Sequence, residues 1–147
     1  MSIQELKRRM KGMMVLVMTP FDKSDAVDYR GLKSNVAFLV DTLQGRDASL
    51  IVAGSAGEFY ALSDEERRRA IQAVVEAAAG KLPVFAGTMK AGTRETVAMS
   101  QYAESAGADG VMVVAPYYNV PTEEGMYAHY ATVARSIDIA LMVYNNA

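Results

Sequence analysis

The chain has 147 residues, is 51% hydrophobic and carries a formal charge of −2, which suits one domain with a sizeable core and argues against a basic nucleic-acid surface. It has no cysteine, which excludes disulfides, thiolate catalysis and zinc–cysteine sites, and its one histidine, His129, argues against a histidine-rich metal site. No apolar run approaches the roughly 20 residues that span a bilayer, and the N-terminus MSIQELKRRMKG lacks the apolar stretch of a signal peptide, so the expectation is a cytoplasmic protein with no membrane partner.

In chain order, the N-terminal segment reads as a short amphipathic helix with Ile3, Leu6 and Met10 on one side. Met13 to Met18 is the first predicted strand, ended by Thr19-Pro20. Asp28 then caps a helix whose Leu32, Val36, Leu39, Val40 and Leu43 follow the 3.6-residue period. Ser49 to Ala53 is the second strand. Ser63 and Glu66 have the spacing of a capping box, and the helix behind them buries Ala70, Ile71, Val74, Val75 and Ala78 before stopping near Gly80. Pro83 to Gly87 is the third strand. Thr93 caps the next helix, with Ala98, Tyr102 and Ala106 four apart. Gly110 to Val114 is the fourth strand. Pro121-Thr122-Glu123-Glu124 opens a helix that carries Met126, Tyr130, Val133 and Ile137 inward, and Ile139 to Tyr144 is the fifth strand.

Strand starts recur about every 30 residues, the size of a βα unit. The strands are continuously apolar, as in a parallel sheet buried on both faces. Two α/β architectures fit: an open doubly wound sheet, or part of a (β/α)₈ TIM barrel, which needs about 250 residues when complete. The sequence stops at Tyr144-Asn145-Asn146-Ala147, directly after a strand, where an open domain would usually add a covering helix. That favours residues 1–147 as the N-terminal part of a single barrel domain, covering about its first five strands.

In either architecture ligands bind at the C-terminal ends of the strands. Those ends hold Thr19, Gly54-Ser55-Ala56-Gly57-Glu58, Gly87-Thr88, Pro116-Tyr117-Tyr118-Asn119 and Tyr144-Asn145. No carboxylate cluster for a metal is among them. Gly54 to Gly57 is not GxGxxG, and no Walker-type phosphate loop is present. A short loop of small residues can present free N–H groups and a hydroxyl to a small anion such as the carboxylate of a keto acid; a glycine-rich strand end is also an ordinary turn. Tyr117 and Tyr118 read by themselves as packing residues rather than catalysts, His129 as structural, Arg67-Arg68-Arg69 as a solvated helix face, and Lys90 as a surface lysine within reach of a substrate anion.

The segments Val17-Met18-Thr19-Pro20-Phe21, Gly54-Ser55-Ala56-Gly57-Glu58, Leu62-Ser63-Asp64-Glu65-Glu66, Pro83-Val84-Phe85-Ala86-Gly87, Pro116-Tyr117-Tyr118-Asn119 and Val143-Tyr144-Asn145 occur in order at suitable intervals. Together they resemble the dihydrodipicolinate synthase / N-acetylneuraminate lyase family, from about Gly12 onward. The resemblance implies a (β/α)₈ barrel, a homo-oligomer (dimer or tetramer), and Schiff-base chemistry on pyruvate or a related 2-keto acid without metal or organic cofactor. Carried over by position, Ser55, Ala56 and Gly57 would bind the substrate carboxylate, and Ser55 would also join a proton relay. Tyr144 would be the general acid/base near the imine, and Tyr118 would complete the relay. Ala56 departs from the family, where a second Thr is common. Glu58 fits the motif as a brace for the loop.

The family's imine-forming lysine lies on the sixth strand. The lysines here are Lys7, Lys11, Lys23, Lys33, Lys81 and Lys90, none of them inside a predicted strand. An amine is needed to turn a ketone into a protonated imine, the electron sink for making or breaking the adjacent bond. The resemblance therefore implies a Schiff-base lyase or aldolase whose nucleophile is absent from these 147 residues. The rival readings are a catalytically incomplete keto-acid-binding fragment and an independent open α/β ligand-binding domain.

Overall fold

A computed structural model of the chain describes residues 3–9 and 11–145. Five parallel strands alternate with helices: α1 (Ile3–Arg9), β1 (Met13–Leu16), α2 (Tyr29–Leu43), β2 (Ala48–Val52), α3 (Asp64–Ala78), β3 (Val84–Gly87), α4 (Thr93–Ser105), β4 (Gly110–Val114), α5 (Glu123–Arg135) and β5 (Ala140–Tyr144). The spatial order is β1-β2-β3-β4-β5, with every neighbouring pair parallel. A doubly wound sheet reverses its strand order at a switch point. This sheet never reverses, so the open doubly wound alternative is set aside. Successive right-handed crossovers stack α2, α3, α4 and α5 on one face, and the opposite face is left as the concave wall of a barrel.

Local chemistry explains most element starts. Asp28 accepts from the Gly31 amide at 2.9 Å and caps α2. Ser63 and Glu66 form the reciprocal capping box of α3, with the Glu66 carboxylate on the Ser63 amide at 2.8 Å and the Ser63 hydroxyl accepting from the Glu66 amide at 3.2 Å. Thr122 caps α5 by accepting from Gly125 at 3.1 Å. Thr93 does not cap α4: the N-cap is Gly92, which has no side-chain bond, and the Thr93 hydroxyl is hydrogen-bonded to His129 Nδ1 at 2.9 Å.

Two layers of apolar packing divide the strands by parity. Leu50, Val52, Val84, Ala86, Val111 and Val113 point to the helices, where Leu32, Val36, Ile71, Val74, Met99 and Val133 complete the main core. Ile51, Phe85 and Met112 point to the concave side and pack with Leu6 of α1, against which Ala140, Met142 and Tyr144 also lie. Leu6 is buried on this side of α1; the Ile3 side chain and Met10 lie outside the described residues. Toward β1 the concave face is open, with Leu16 48% and Met18 57% exposed. A hollow of about 560 Å³ runs along the free edge of β5 beside Phe85, Ala140 and Met142, away from the strand ends where ligands are expected.

Two face assignments differ from the periodicity. On α4 the buried residues are Thr96, Met99, Ser100 and Ala103, whereas Ala98 is exposed and Tyr102 and Ala106 are half-buried. The hydroxyls explain the rotation: Ser100 is bonded to Thr88 at 2.8 Å and donates to the Thr96 carbonyl at 2.7 Å, so it enters the core already partnered. On α3, Arg68 and Arg69 are exposed as a solvated face requires, but Arg67 is buried. No helix among the described residues is long and apolar enough to cross a membrane.

Candidate active site

The register aligns Val52, Ala86, Val111 and Leu141 in one row across β2 to β5. Three residues beyond that row lie Ser55 after β2 and Tyr144 at the end of β5. Tyr144 shares its parity with Ala140 and Met142, so its ring joins the concave packing. Two strands separate β2 from β5, which at about 4.8 Å per step is about 14 Å along the sheet, and curvature shortens the path across the concave side.

The loop after β2 is folded onto itself. The Gly54 carbonyl accepts from the amides of Gly57 (3.0 Å) and Phe59 (3.3 Å), and the Ser55 carbonyl accepts from Glu58 (3.1 Å). The amides of Ser55 and Ala56 have no acceptor among the described residues. Ser55 is exposed and Ala56 half-buried, so two adjacent N–H groups and one hydroxyl remain available to a ligand. Gly57 differs: its amide is taken by Gly54, and its carbonyl accepts from the buried Thr19 hydroxyl at 2.8 Å. A side chain at Gly57 would come within 3.0 Å of the Val17 carbonyl, so this glycine lets the loop lie on the end of β1. Glu58 makes no side-chain hydrogen bond among the described residues; its contribution to the loop is its backbone, held at φ +56°.

The tyrosine loop after β4 meets this loop through its rings. Phe59 stands edge-on to Tyr117 at 6.1 Å between centroids and to Tyr60 at 5.7 Å. Tyr118 is 86% exposed, and its hydroxyl has no partner among the described residues. The strand-end set is therefore brought together as two touching loops with Tyr144 on the same side of the sheet.

Behind them lies a side chain that the solvated-face reading of the arginine run misplaced. Arg67 is 1% exposed, donates from Nη2 to the carbonyls of Gly87 (2.9 Å) and Met89 (3.0 Å), and sets its guanidinium 5.5 Å from the Phe59 ring centroid. Burial draws its pKa below the ordinary arginine value, opposed by the nearby Asp64 and Tyr117. The signal was present in the sequence: 67, 70, 71, 74 and 78 form one helical stripe, and Arg67 stands at its head.

Lys90 is not a free surface lysine. Its ammonium is ion-paired with Asp64, and that hydrogen bond is the main reason the Asp64 carboxyl is held below its usual range. His129 is buried, with Nδ1 on Thr93 and its ring edge-on to Tyr130 at 5.4 Å, and burial alone lowers its pKa. Among the described residues no group of three or more His, Asp or Glu converges on a metal-sized site.

The dihydrodipicolinate synthetase family model matches residues 9–147. The chain belongs to this family. Among its relatives is the 4-hydroxy-tetrahydrodipicolinate synthase of Brucella abortus biovar 1 (strain 9-941), 41% identical over 136 residues, covering 92% of this chain and 45% of that protein. Solved family structures superimpose closely. Dihydrodipicolinate synthase from Aquifex aeolicus gives a TM-score of 0.86 at 41% identity, over 92% of this chain and 45% of that one. The chloride-inhibited enzyme from Acinetobacter baumannii, complexed with pyruvate, gives 0.86 at 34% identity, over 93% and 46%. The chain spans about half the length of the relatives it matches, and its five strands correspond to part of their TIM barrels.

Proposed function

We propose that the chain forms the N-terminal part of a single (β/α)₈ barrel domain that carries out Schiff-base lyase chemistry on pyruvate or a related 2-keto acid. The observation that carries this reading is the unspent amide pair of Ser55 and Ala56, at the same C-terminal end of the sheet as Tyr144 and beside the loop of Tyr118. Two adjacent N–H donors and the Ser55 hydroxyl suit the two oxygens of a carboxylate, and hydrogen bonds to an ion are about twice as strong as neutral ones. The pyruvate complex of the Acinetobacter baumannii relative supports the same substrate class.

With the carboxylate held there, the ketone carbon lies toward the concave face that Tyr144 borders. In this reading an amine attacks that carbon, Tyr144 supplies the proton that lets the carbinolamine oxygen leave as water, and Ser55 and Tyr118 return the proton through their hydroxyls. Gly57 forms the floor of the carboxylate loop rather than donating to the ligand. Lys7 lies in α1, Lys33 in α2, and Lys11, Lys23, Lys81 and Lys90 in loops, so no strand lysine faces the site. The amine is assigned to the part of the barrel that the relatives have and this chain does not span. The 147-residue chain alone is then a keto-acid binder without turnover. Assembly as a homo-oligomer in the cytoplasm completes the proposal.

The test is a pyruvate titration of the ¹⁵N-labelled chain, followed by borohydride and intact mass measurement. Saturable shifts of the Ser55 and Ala56 amides with no pyruvate adduct are expected. Unmoved Ser55 and Ala56 signals would remove the carboxylate assignment, and an adduct on Lys90 would replace the missing nucleophile.

A further inference from the structure

Arg67 is a charged group enclosed by the core, and its bonded partners are main-chain oxygens rather than a carboxylate. Asp64 is the nearby acid, yet its hydrogen bond goes to Lys90. The Nε of Arg67 is buried with no partner. Such an arrangement is costly: a buried cation needs compensation, and two carbonyls compensate it only in part. A methionine or leucine would fill this stripe position of α3 without that cost. The charge and the grip of Nη2 on two carbonyls therefore need a reason outside core packing.

The contacts supply one. The two accepting carbonyls, Gly87 and Met89, belong to the C-terminal end of β3. The guanidinium face covers Phe59, which the Gly54 carbonyl ties to the base of the carboxylate loop. Phe59 also stands edge-on to Tyr117, the neighbour of Tyr118. One side chain thus touches or reaches, through a single ring, the end of β3, the Ser55–Ala56 loop and the tyrosine loop. The guanidinium also retains its charge near neutral pH, since arginine starts so high that burial does not discharge it. Its field is poorly screened inside the protein, and no carboxylate is bonded to it there.

We infer that Arg67 is a positioning residue of the candidate site: it fixes Phe59, and through it Tyr117 and Tyr118, against the Ser55–Ala56 loop, while its buried charge favours an anionic ligand at that loop. The inference rests on the proposed carboxylate role of Ser55 and Ala56. The contacts of the guanidinium with the carbonyls and the ring set geometry and its charge sets affinity, so the two can be separated by substitution. Arg67→Lys keeps the charge and loses the planar grip on two carbonyls and the ring. Arg67→Met keeps much of the volume and loses both.

The experiment follows pyruvate binding at the Ser55 and Ala56 amides, and the ligand-free amide signals of Tyr117 and Tyr118, in the wild-type chain and the two variants, with urea unfolding as a check on the fold. Arg67→Met is expected to bind pyruvate at least tenfold more weakly. Arg67→Lys is expected to recover affinity to within about threefold of wild type while shifting Tyr117 and Tyr118 as Arg67→Met does. A merely structural arginine would give no such rescue. Wild-type affinity in Arg67→Met, or equal losses in both variants, overturns the inference. If Arg67→Met does not fold, Phe59→Leu takes its place: displaced Tyr117 and Tyr118 signals in both Phe59→Leu and Arg67→Lys uphold it, and undisturbed signals in either overturn it. A wild-type chain that binds no pyruvate at Ser55 and Ala56 overturns the carboxylate reading, and this inference with it, whereas normal wild-type binding with an indifferent Arg67 overturns the inference alone.

Discussion

Gly87→Ala perturbs the site from beneath. Gly87 ends β3 with its α-carbon against the chain that leaves β2. A β-carbon there would stand 2.0 Å from the Ala53 carbonyl oxygen, 2.7 Å from the Ala53 carbonyl carbon and 3.1 Å from the Gly54 nitrogen. Relief to an acceptable 3.0 Å needs a separation of about 1 Å between two backbones, with no flexible side chain to yield. Neither backbone is free to move. Ala53 is already held at φ +53°, a region costing a non-glycine residue roughly 1 kcal/mol or more, and the Gly87 carbonyl is gripped by Arg67. Overpacking against mobile side chains costs about 1–3 kcal/mol; a wholly backbone clash belongs at the upper end, so the expected loss is about 3 kcal/mol. For a chain of this size that lowers the melting temperature by roughly 6–12 °C. Urea unfolding with unchanged m-value measures the loss, and displaced Ser55 and Ala56 amide signals report that it falls on the carboxylate loop. Gly125→Ala, in the first turn of α5 with its nearest neighbour at 3.3 Å, is the control and should be neutral or slightly stabilising. A Gly87→Ala protein within about 0.5 kcal/mol of wild type, inside the range of ordinary surface changes, would refute the reasoning.

Three further outcomes are expected. In a barrel that contains the imine lysine, Tyr144→Phe should lower turnover at least about a hundredfold, the lower bound for a general acid/base; near-normal turnover would remove Tyr144 from the chemistry. Ala56→Thr adds a hydroxyl beside the free amide pair, and a hydrogen bond to an ion contributes about 1.5–3 kcal/mol, so pyruvate binding followed by calorimetry should tighten by about tenfold or more. Unchanged or weaker binding would mean that Ala56 makes room for a larger ligand or that the loop does not hold the carboxylate. His129 supplies a pH dependence: burial lowers its folded pKa below the 6.5 of the unfolded chain, so the folded state binds the proton more weakly. The stability it contributes is present above pH 6.5 and is lost as the pH falls, and urea midpoints should drop in that window in the wild type but not in His129→Gln.

The elements were legible because their signals are local. The caps at Asp28, Ser63 and Thr122 act within three residues, and the α2 stripe of Leu32, Val36, Val40 and Leu43 is buried as its period requires. Legibility ends where a side chain's partner lies far along the chain. Thr93 has the composition of a cap, yet it bonds to His129, 36 residues away. Ser100 enters the core of α4 because Thr88 waits for it there. Arg67 is the sharpest case, since its stripe position says core and its chemistry says solvent. Only the carbonyls at the end of β3, about 20 residues on, resolve the conflict in favour of the core.

The loop after β2 shows the same limit at its finest scale. Its two glycines and small residues suggest an ordinary turn or room for close backbone approach; the positive φ values fall on Ala53 (+53°) and Glu58 (+56°), and neither Gly54 nor Gly57 has one. The glycines instead supply clearance. A side chain at Gly54 would press on Met112 and Ile51 at 3.2–3.3 Å, and one at Gly57 on the Val17 carbonyl at 3.0 Å. With the loop seated that closely on β1 and the concave packing, the Gly54 carbonyl collects the amides of Gly57 and Phe59, and the Thr19 hydroxyl holds the Gly57 carbonyl. Every bond in that set consumes a polar group on the far side of the turn. Ser55 and Ala56 are left with unspent donors, because the bonds within the loop use the amides of Gly57, Glu58 and Phe59. A ligand meeting them finds donors already oriented, so little ordering of the loop opposes binding.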